Sequence, residues 1–332
     1  MSDKTAICGL GMIGGFGEGN TAALQSLSQP RGPNGRVPVQ YGADVPTLPA
    51  YVADVASLER FLHKRLLRRV NRYSKMALLG ACLALEDAQY AIPVDSDRMG
   101  VIVASGYGAL STTFAFLDSM IDDGDALASP LLFSNSVHSS AASHITICLN
   151  IRGPSLTVSQ FEMSGVAALM TAQQWLARGV VDAVLVGAVE ELNTVTGYCY
   201  TQFYSPNTVS STESKAIMGE GACFFLLRRA SDAAARYGLL ERANWLHVNN
   251  VAVLPEAMLV CGDDGHPCCA AHYARFPHAV SFARHYGSLP SGQLFDAAFA
   301  LIAAQQKRQP TKIQVIKMDK DGNVGEVMLS MS

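Results

Sequence analysis

Apolar residues in this chain fall in short unbroken blocks separated by glycine, proline and small polar residues, a pattern of strands buried on both faces. Thr5-Ala6-Ile7-Cys8-Gly9-Leu10-Gly11-Met12-Ile13 reads as such a strand running into a glycine-rich turn. A basic stretch with Arg68, Arg69 and Arg72 leads into Met76–Ala88, rich in Ala and Leu, which predicts a helix buried on most sides. Met99–Ala104 is a fully apolar strand with Gly106-Tyr107-Gly108 as its exit turn, and Ser111–Asp122 reads as the following helix. The Ser/Asn/His segment Phe133–His144 leads to a further helix ending near Gly153-Pro154. Ser155–Ser159 is a short strand, Gly165–Arg178 a helix stopped by Gly179, and Ala183–Gly187 another buried strand. After Met218–Ala222 comes the strand Cys223–Leu227. Beyond about residue 230 the signals resume at Leu259-Val260, Leu294–Gln305 and a hairpin-like Lys312–Ser330. Strands alternating with helices of these lengths indicate an α/β fold of sheet layers covered by helices. The boundary divides the chain into a first part, residues 1–230, and a shorter second part, residues 231–332.

Composition narrows the classes of function. The 332 residues are 49% hydrophobic and carry a net charge of −3, which leaves no electrostatic footprint for a nucleic acid. No stretch approaches the roughly 18–20 apolar residues that span a bilayer, and the N-terminus lacks a basic-then-apolar secretion signal. The expectation is a soluble, cytoplasmic protein with neither nucleic acid nor membrane as partner. Eight cysteines, at 8, 82, 148, 199, 223, 261, 268 and 269, are scattered through apolar runs and do not form a disulfide framework. Cys268-Cys269 with His266 and His272 lack the two-residue spacer of zinc sites, so no metal is expected.

The most informative stretch is Gly153-Pro154-Ser155-Leu156-Thr157-Val158-Ser159-Gln160-Phe161-Glu162-Met163-Ser164-Gly165, a strand, a sharp turn and a helix opening with small residues. With the opening glycine-rich strand, the helix after Arg72, Val101–Gly106, Val184–Glu190, Tyr204-Ser205-Pro206 and Gly219-Glu220-Gly221-Ala222, it resembles the β-ketoacyl synthase family in order across residues 5–230. The resemblance implies a thiolase-like layered α-β-α-β-α fold with a shortened C-terminal half. In that family the elbow carries a cysteine that accepts the acyl chain, because capture needs a thiolate. Counted from Gly153, that position is Glu162. A carboxylate is stabilised as an anion at a helix N-terminus and is a poor acyl acceptor, since a mixed anhydride hydrolyses readily.

The family also uses two histidines to stabilise negative charge during decarboxylative condensation. The first belongs to a His-Gly-Thr-x-Thr-Pro motif, which anchored on Pro267 places Gly262 at the histidine. The second opens a Gly-His-Leu segment, read here as Gly287-Ser288-Leu289-Pro290-Ser291-Gly292, so that Ser288 replaces it. The family's C-terminal glycine-rich loop is reduced to Gly322-Asn323-Val324. Three catalytic positions, Glu162, Gly262 and Ser288, are therefore replaced together.

This pattern is similar to that of the chain-length factors of type II polyketide synthases, silent partners that form a heterodimer with an active ketosynthase and shape its elongation tunnel. The Gly-x-Leu-x-Ser-Gly spacing of residues 287–292 matches theirs, whereas Glu162 stands where glutamine is usual. The resemblance implies an acyl carrier protein as second partner, with the chain delivered on its phosphopantetheine to the partner subunit and no cofactor of this chain's own. It implies tunnel-end positions at Leu110, Thr113, Phe114 and Leu117, of which Leu110, Thr113 and Leu117 share a helical face. That stripe could equally face a core. Phe133, Ser134 and Asn135 are expected to cross toward the partner, and Ser155, Leu156, Thr157, Val158 and Ser159 to form the strand that pairs across the dimer axis. The alternatives are a decarboxylase making an acetyl primer from malonyl-carrier protein, an acyltransferase using Cys199 or Cys261, and a structural subunit without influence on product. For the decarboxylase an ionised Glu162 offers no proton and repels the malonyl carboxylate, unless burial keeps it neutral.

Overall fold

A side chain at Gly9 or Gly11 would place its Cβ 2.3 Å or 2.2 Å from the backbone of Ala84, so the opening strand and the helix after Arg72 touch backbone to backbone. The computed structural model describes residues 4–40, 45–203, 217–263, 265–307 and 311–331. Strands are β1 (Thr5–Gly14), β2 (Gly17–Glu18), β3 (Gly35–Pro38), β4 (Thr47–Tyr51), β5 (Met99–Ala104), β6 (Ser155–Val158) and β7 (Ala183–Glu190). The chain continues through β8 (Met218–Gly219), β9 (Gly221–Arg229), β10 (Leu239–His247), β11 (Ala257–Cys261), β12 (Thr311–Met318) and β13 (Asn323–Met331). Helices are α1 (Gly19–Ser28), α2 (Lys64–Leu67), α3 (Arg72–Asp87), α4 (Leu110–Asp123), α5 (Pro130–Ser136) and α6 (Ser140–Leu149). They are followed by α7 (Ser164–Ala177), α8 (Thr194–Phe203), α9 (Ala270–Tyr273), α10 (Ala283–Tyr286) and α11 (Gln293–Lys307).

The main sheet runs β11-β12-β13-β10-β1-β9-β7-β5-β6, with β2 paired to β1 and β6 at one edge. β5 is parallel to both β6 and β7, as the alternation of strands and helices predicts. All eight residues of β7 are buried, and they divide between two cores. Val184, Val186 and Ala188 join α7 and α11, whereas Ala183, Leu185 and Val189 join α3 and α6. Helix α7 packs on β5 and β7 and also on β10 and β13, and α11 on β7, β9, β12 and β13. The sheet therefore wraps around these two helices. This gives a layered mixed α/β fold with a helical layer inside the sheet's two arms and α3 and α6 outside one of them. Beside the other arm a small core of Cys269, Tyr273, Ile316, Met318 and Val324 is covered by the one-turn helix α9 and the 3-10 turn before it.

Several elements differ from the sequence reading. Phe133–His144 contributes to two helices: Pro130 starts α5, with the Ser129 hydroxyl accepting from Leu132 N at 3.3 Å, and α6 begins at Ser140. β10 carries no unbroken apolar block, because Arg242, Trp245 and His247 are exposed while Leu240 and Ala243 are buried. The division at residue 230 falls between β9 and β10, both of which pair with β1, so the sheet continues across it. Gly179 ends α7 with φ +66°, as its position predicts. Tyr204-Ser205-Pro206 lies outside the described residues. Among the described residues no helix is long and apolar enough to cross a membrane.

Candidate functional site

The elbow is built as its small residues require. Beyond β6 the backbone turns through Phe161, whose φ of +46° is left-handed, into a single 3-10 turn, Phe161–Met163, and then α7. The Ser164 hydroxyl accepts from Gln160 N at 2.8 Å and donates to Ser105 O at 3.3 Å, tying the turn to the end of β5. A Cβ on Gly165 would lie 2.6 Å from Leu294 Cδ1, so glycine lets α7 begin against α11. Glu162 sits half-buried in the turn that leads into α7.

Gly262 follows β11, and the space where its side chain would stand is occupied. An ideal Cβ there meets Lys317 Cδ at 2.6 Å and Asp296 Oδ2 at 2.9 Å. Lys317 is 2% exposed and donates to Gly262 O at 2.9 Å. Asp296 is fully buried and accepts from the Tyr286 hydroxyl at 2.8 Å. The Tyr273 hydroxyl donates to Gly262 O at 2.9 Å and accepts from Met318 N at 3.0 Å. A cation and an anion brought into one buried pocket with hydrogen-bond partners offset each other's desolvation.

Ser288 is also buried and satisfied, accepting from the Tyr200 hydroxyl at 2.7 Å. Gly287 before it holds φ +92°, and a Cβ there would lie 2.7 Å from Gly219 Cα. Three residues on, the Ser291 hydroxyl donates to Glu190 Oε1 at 2.7 Å. Glu190 also accepts from Tyr107 N at 3.2 Å and Gly106 N at 2.5 Å, and so organises the β5–α4 turn. Burial pushes the Glu190 carboxyl above its ordinary pKa, and these donors oppose that shift. Glu220 accepts from Arg72 Nε at 3.2 Å, Ala53 N at 3.1 Å and Leu192 N at 3.2 Å. A small cavity among Tyr107, Glu190, Glu191, Tyr200 and Ser288 lies between these groups.

On α4, Leu110, Thr113 and Phe114 are half-buried and Leu117 is exposed. The Thr113 hydroxyl lies 2.9 Å from Ser136 O, linking α4 to α5, and Phe116 packs on Phe133 with centroids 5.4 Å apart. Phe133 is 58% exposed and Ser134 is exposed, whereas Asn135 is not. It is buried in its own chain, donating to Arg69 O at 3.0 Å and Leu131 O at 3.2 Å and bonding His144 Nε2 at 2.8 Å. In β6, Ser155 and Leu156 are exposed and Thr157 and Val158 half-buried; Ser159, just beyond the strand, is exposed with its hydroxyl 3.3 Å from Gly106 O.

Cys261 is buried at the end of β11 and Cys199 is half-buried in α8. His266 Nδ1 accepts from Cys268 N at 3.3 Å, a local turn contact. Among the described residues no three His, Cys, Asp or Glu are grouped to hold a metal ion. The sequence reading missed Glu190 and Glu191 as organising groups, although two consecutive carboxylates ending an apolar strand were visible. It also missed Lys317 and Asp296, whose convergence no local spacing announces.

Residues 6–233 match the family model for the β-ketoacyl synthase N-terminal domain. The chain is 26% identical over 192 residues to 3-oxoacyl-acyl-carrier-protein synthase 2 of Staphylococcus aureus, covering 54% of this chain and 48% of that one. It thus spans about half the length of that curated relative. It is 28% identical over 295 residues to a putative polyketide β-ketoacyl synthase 1 of Streptomyces virginiae, covering 79% of this chain and 69% of that one. Among solved structures, the ishigamide ketosynthase/chain length factor superposes with a TM-score of 0.78 at 18% identity, covering 98% of this chain and 99% of that one. A type II polyketide ketosynthase bound to a hexaketide, in complex with its acyl-carrier protein, gives a TM-score of 0.72 at 16% identity, covering 99% of both chains.

Proposed function

The chain belongs to the β-ketoacyl synthase family, and from that premise we propose that it is a chain-length-factor-type subunit, which performs no condensation itself and pairs with an active ketosynthase to wall its elongation tunnel. The observation that carries this reading is Gly262, where Lys317 and Asp296 stand in the volume a catalytic histidine would need. Substitution at the acyl-acceptor position supports it, since the Glu162 carboxylate cannot hold a stable thioester or act as a thiolate. Ser288, engaged by Tyr200, offers a hydroxyl in place of the second histidine. The exposed edge strand β6 and the exposed apolar residues Leu131, Phe133, Val137 and Ile147 on α5, α6 and the link between them supply a face for the partner ketosynthase. The acyl carrier protein then serves the partner's cysteine, and the growing chain extends toward α4.

Co-expression with the ketosynthase, loading from malonyl-carrier protein and intact-mass measurement of each subunit test the reading. The acyl adduct is expected on the ketosynthase only, and this chain alone is expected to leave malonyl-carrier protein unchanged. A thioester on this chain, or acetyl-carrier protein formed by it alone, overturns the proposal.

A further inference from the structure

Glu190 ends β7 and Glu191 follows it directly. Glu190 turns to the β5–α4 turn. Glu191 turns to the helix beyond it, where its Oε1 accepts from Ser111 N at 2.8 Å. Ser111 is in the first turn of α4, whose N-cap, Ala109, has no side chain that could accept a hydrogen bond. A carboxylate just beyond the end of β7 therefore does the capping that serine or aspartate usually does. Glu191 is 2% exposed. The groups facing it are Arg72 and Tyr73 of α3, Glu220 between β8 and β9, the adjacent Glu190 at the end of β7, and Tyr107 and Tyr200 around the shared cavity. Arg72 is already bonded to Glu220, so the corner holds more carboxylates than its cation neutralises.

We propose that Glu191 is a positioning residue for α4: as an anion it holds the first turn of that helix against the end of β7, and on protonation it lets the turn loosen. Its consequence for product length rests on the proposed function, because α4 carries Leu110, Thr113, Phe114 and Leu117. Burial pushes the Glu191 carboxyl up to about 7, the Ser111 N–H opposing and Glu220 adding to the shift, so the change falls near neutral pH. Two effects of opposite sign follow. A raised carboxylate pKa means the folded chain binds the proton more tightly than the unfolded chain, so global stability is lost as pH rises from the unfolded value through about 7. The cap on α4 strengthens over the same rise, because a hydrogen bond to an ion exceeds one to a neutral acceptor.

The test is hydrogen exchange in the complex with the ketosynthase, corrected for intrinsic exchange, from about pH 6 to about pH 8. In the wild type, protection of the amides at the start of α4 is expected to rise about fivefold with pH. Glu191→Gln is expected to stay at the low-pH level throughout while its melting temperature above pH 7 exceeds that of the wild type. A merely structural glutamate would lower both. Identical pH profiles in wild type and variant overturn the proposal; if the variant does not fold, a flat wild-type profile does so alone. Product length in the same complexes separates this from the reading beneath it. If Thr113→Trp shortens the product but protection at α4 ignores pH, the clamp fails and the reading stands. If protection responds to pH but neither variant alters the product, the clamp stands and the reading fails.

Discussion

Gly262 lacks a side chain, and its surroundings explain why adding one is costly. A Cβ would have to displace the stem of Lys317 and an oxygen of Asp296, both buried. Overpacking of this kind costs about 1–3 kcal/mol, so Gly262→Ala is expected to lower the unfolding free energy by that amount, read as an earlier midpoint in urea. A histidine there would be worse, and restoring cysteine at 162 with histidines at 262 and 288 is expected to give no condensing activity. The motif spacing made Glu162, Gly262 and Ser288 legible in the sequence, because flanking Pro267 and the Gly287–Gly292 pattern anchor them. Lys317 was not legible: it reaches Gly262 from 55 residues away, and such convergence is a property of the wrapped sheet. A second residue-scale effect concerns His285, buried against Phe282 and Phe299, with ring centroids 5.3 Å apart for the latter. Burial pushes its imidazole down to about 4, Arg284 adding to the shift. Between about pH 6.5 and 4 the unfolded chain takes up a proton that the folded chain refuses, so stability falls as pH falls, by about 1.4 kcal/mol per pH unit within that window. His285→Phe is expected to flatten this slope in melting experiments across pH, and an unchanged slope would assign it to other groups.

At the scale of elements, strands buried on both faces were easy to read because each is an unbroken apolar block, as in β5 and β7. β10 escaped because one of its faces is partly solvated, which breaks the block without producing strict alternation. Helix α4 was legible as a helix, but its burial was not. Thr112 is buried, while Leu117, Met120 and Ile121 are exposed. An apolar face without cover on a helix is unusual for a monomer and agrees with a wall that another chain completes. Thr113 sits where α4 meets α5, with its hydroxyl 2.9 Å from Ser136 O. Thr113→Trp both removes that link and adds the bulk of an indole. The expected outcome is a shorter product from the reconstituted complex, measured by mass spectrometry, with the 1:1 assembly preserved; unchanged product length would remove α4 from the tunnel.

Over the whole molecule, the sheet has one edge at β11 and the other at β6, and the two are treated differently. The β11 edge is covered by the chain itself: Val280 N donates to Leu259 O and Cys261 N to Val280 O, each at 2.9 Å. β6 pairs on one side with β5, its residues Ser155 and Leu156 are exposed, and α6 with its exposed Ile147 packs beside it. An open edge beside apolar helices invites association, which proteins otherwise block with charge or proline. Obligate interfaces bury above roughly 2,000 Å², so on the proposed function this chain expressed alone is expected to self-associate or precipitate, and a ketosynthase partner to hold it in solution. Leu156→Lys places a charge at the centre of the edge. Because Leu156 is already 38% exposed, little folding free energy depends on it, and the variant should melt near the wild type while losing the 1:1 complex in size-exclusion chromatography with light scattering. A complex that survives Leu156→Lys intact would mean that the partner binds elsewhere on the molecule.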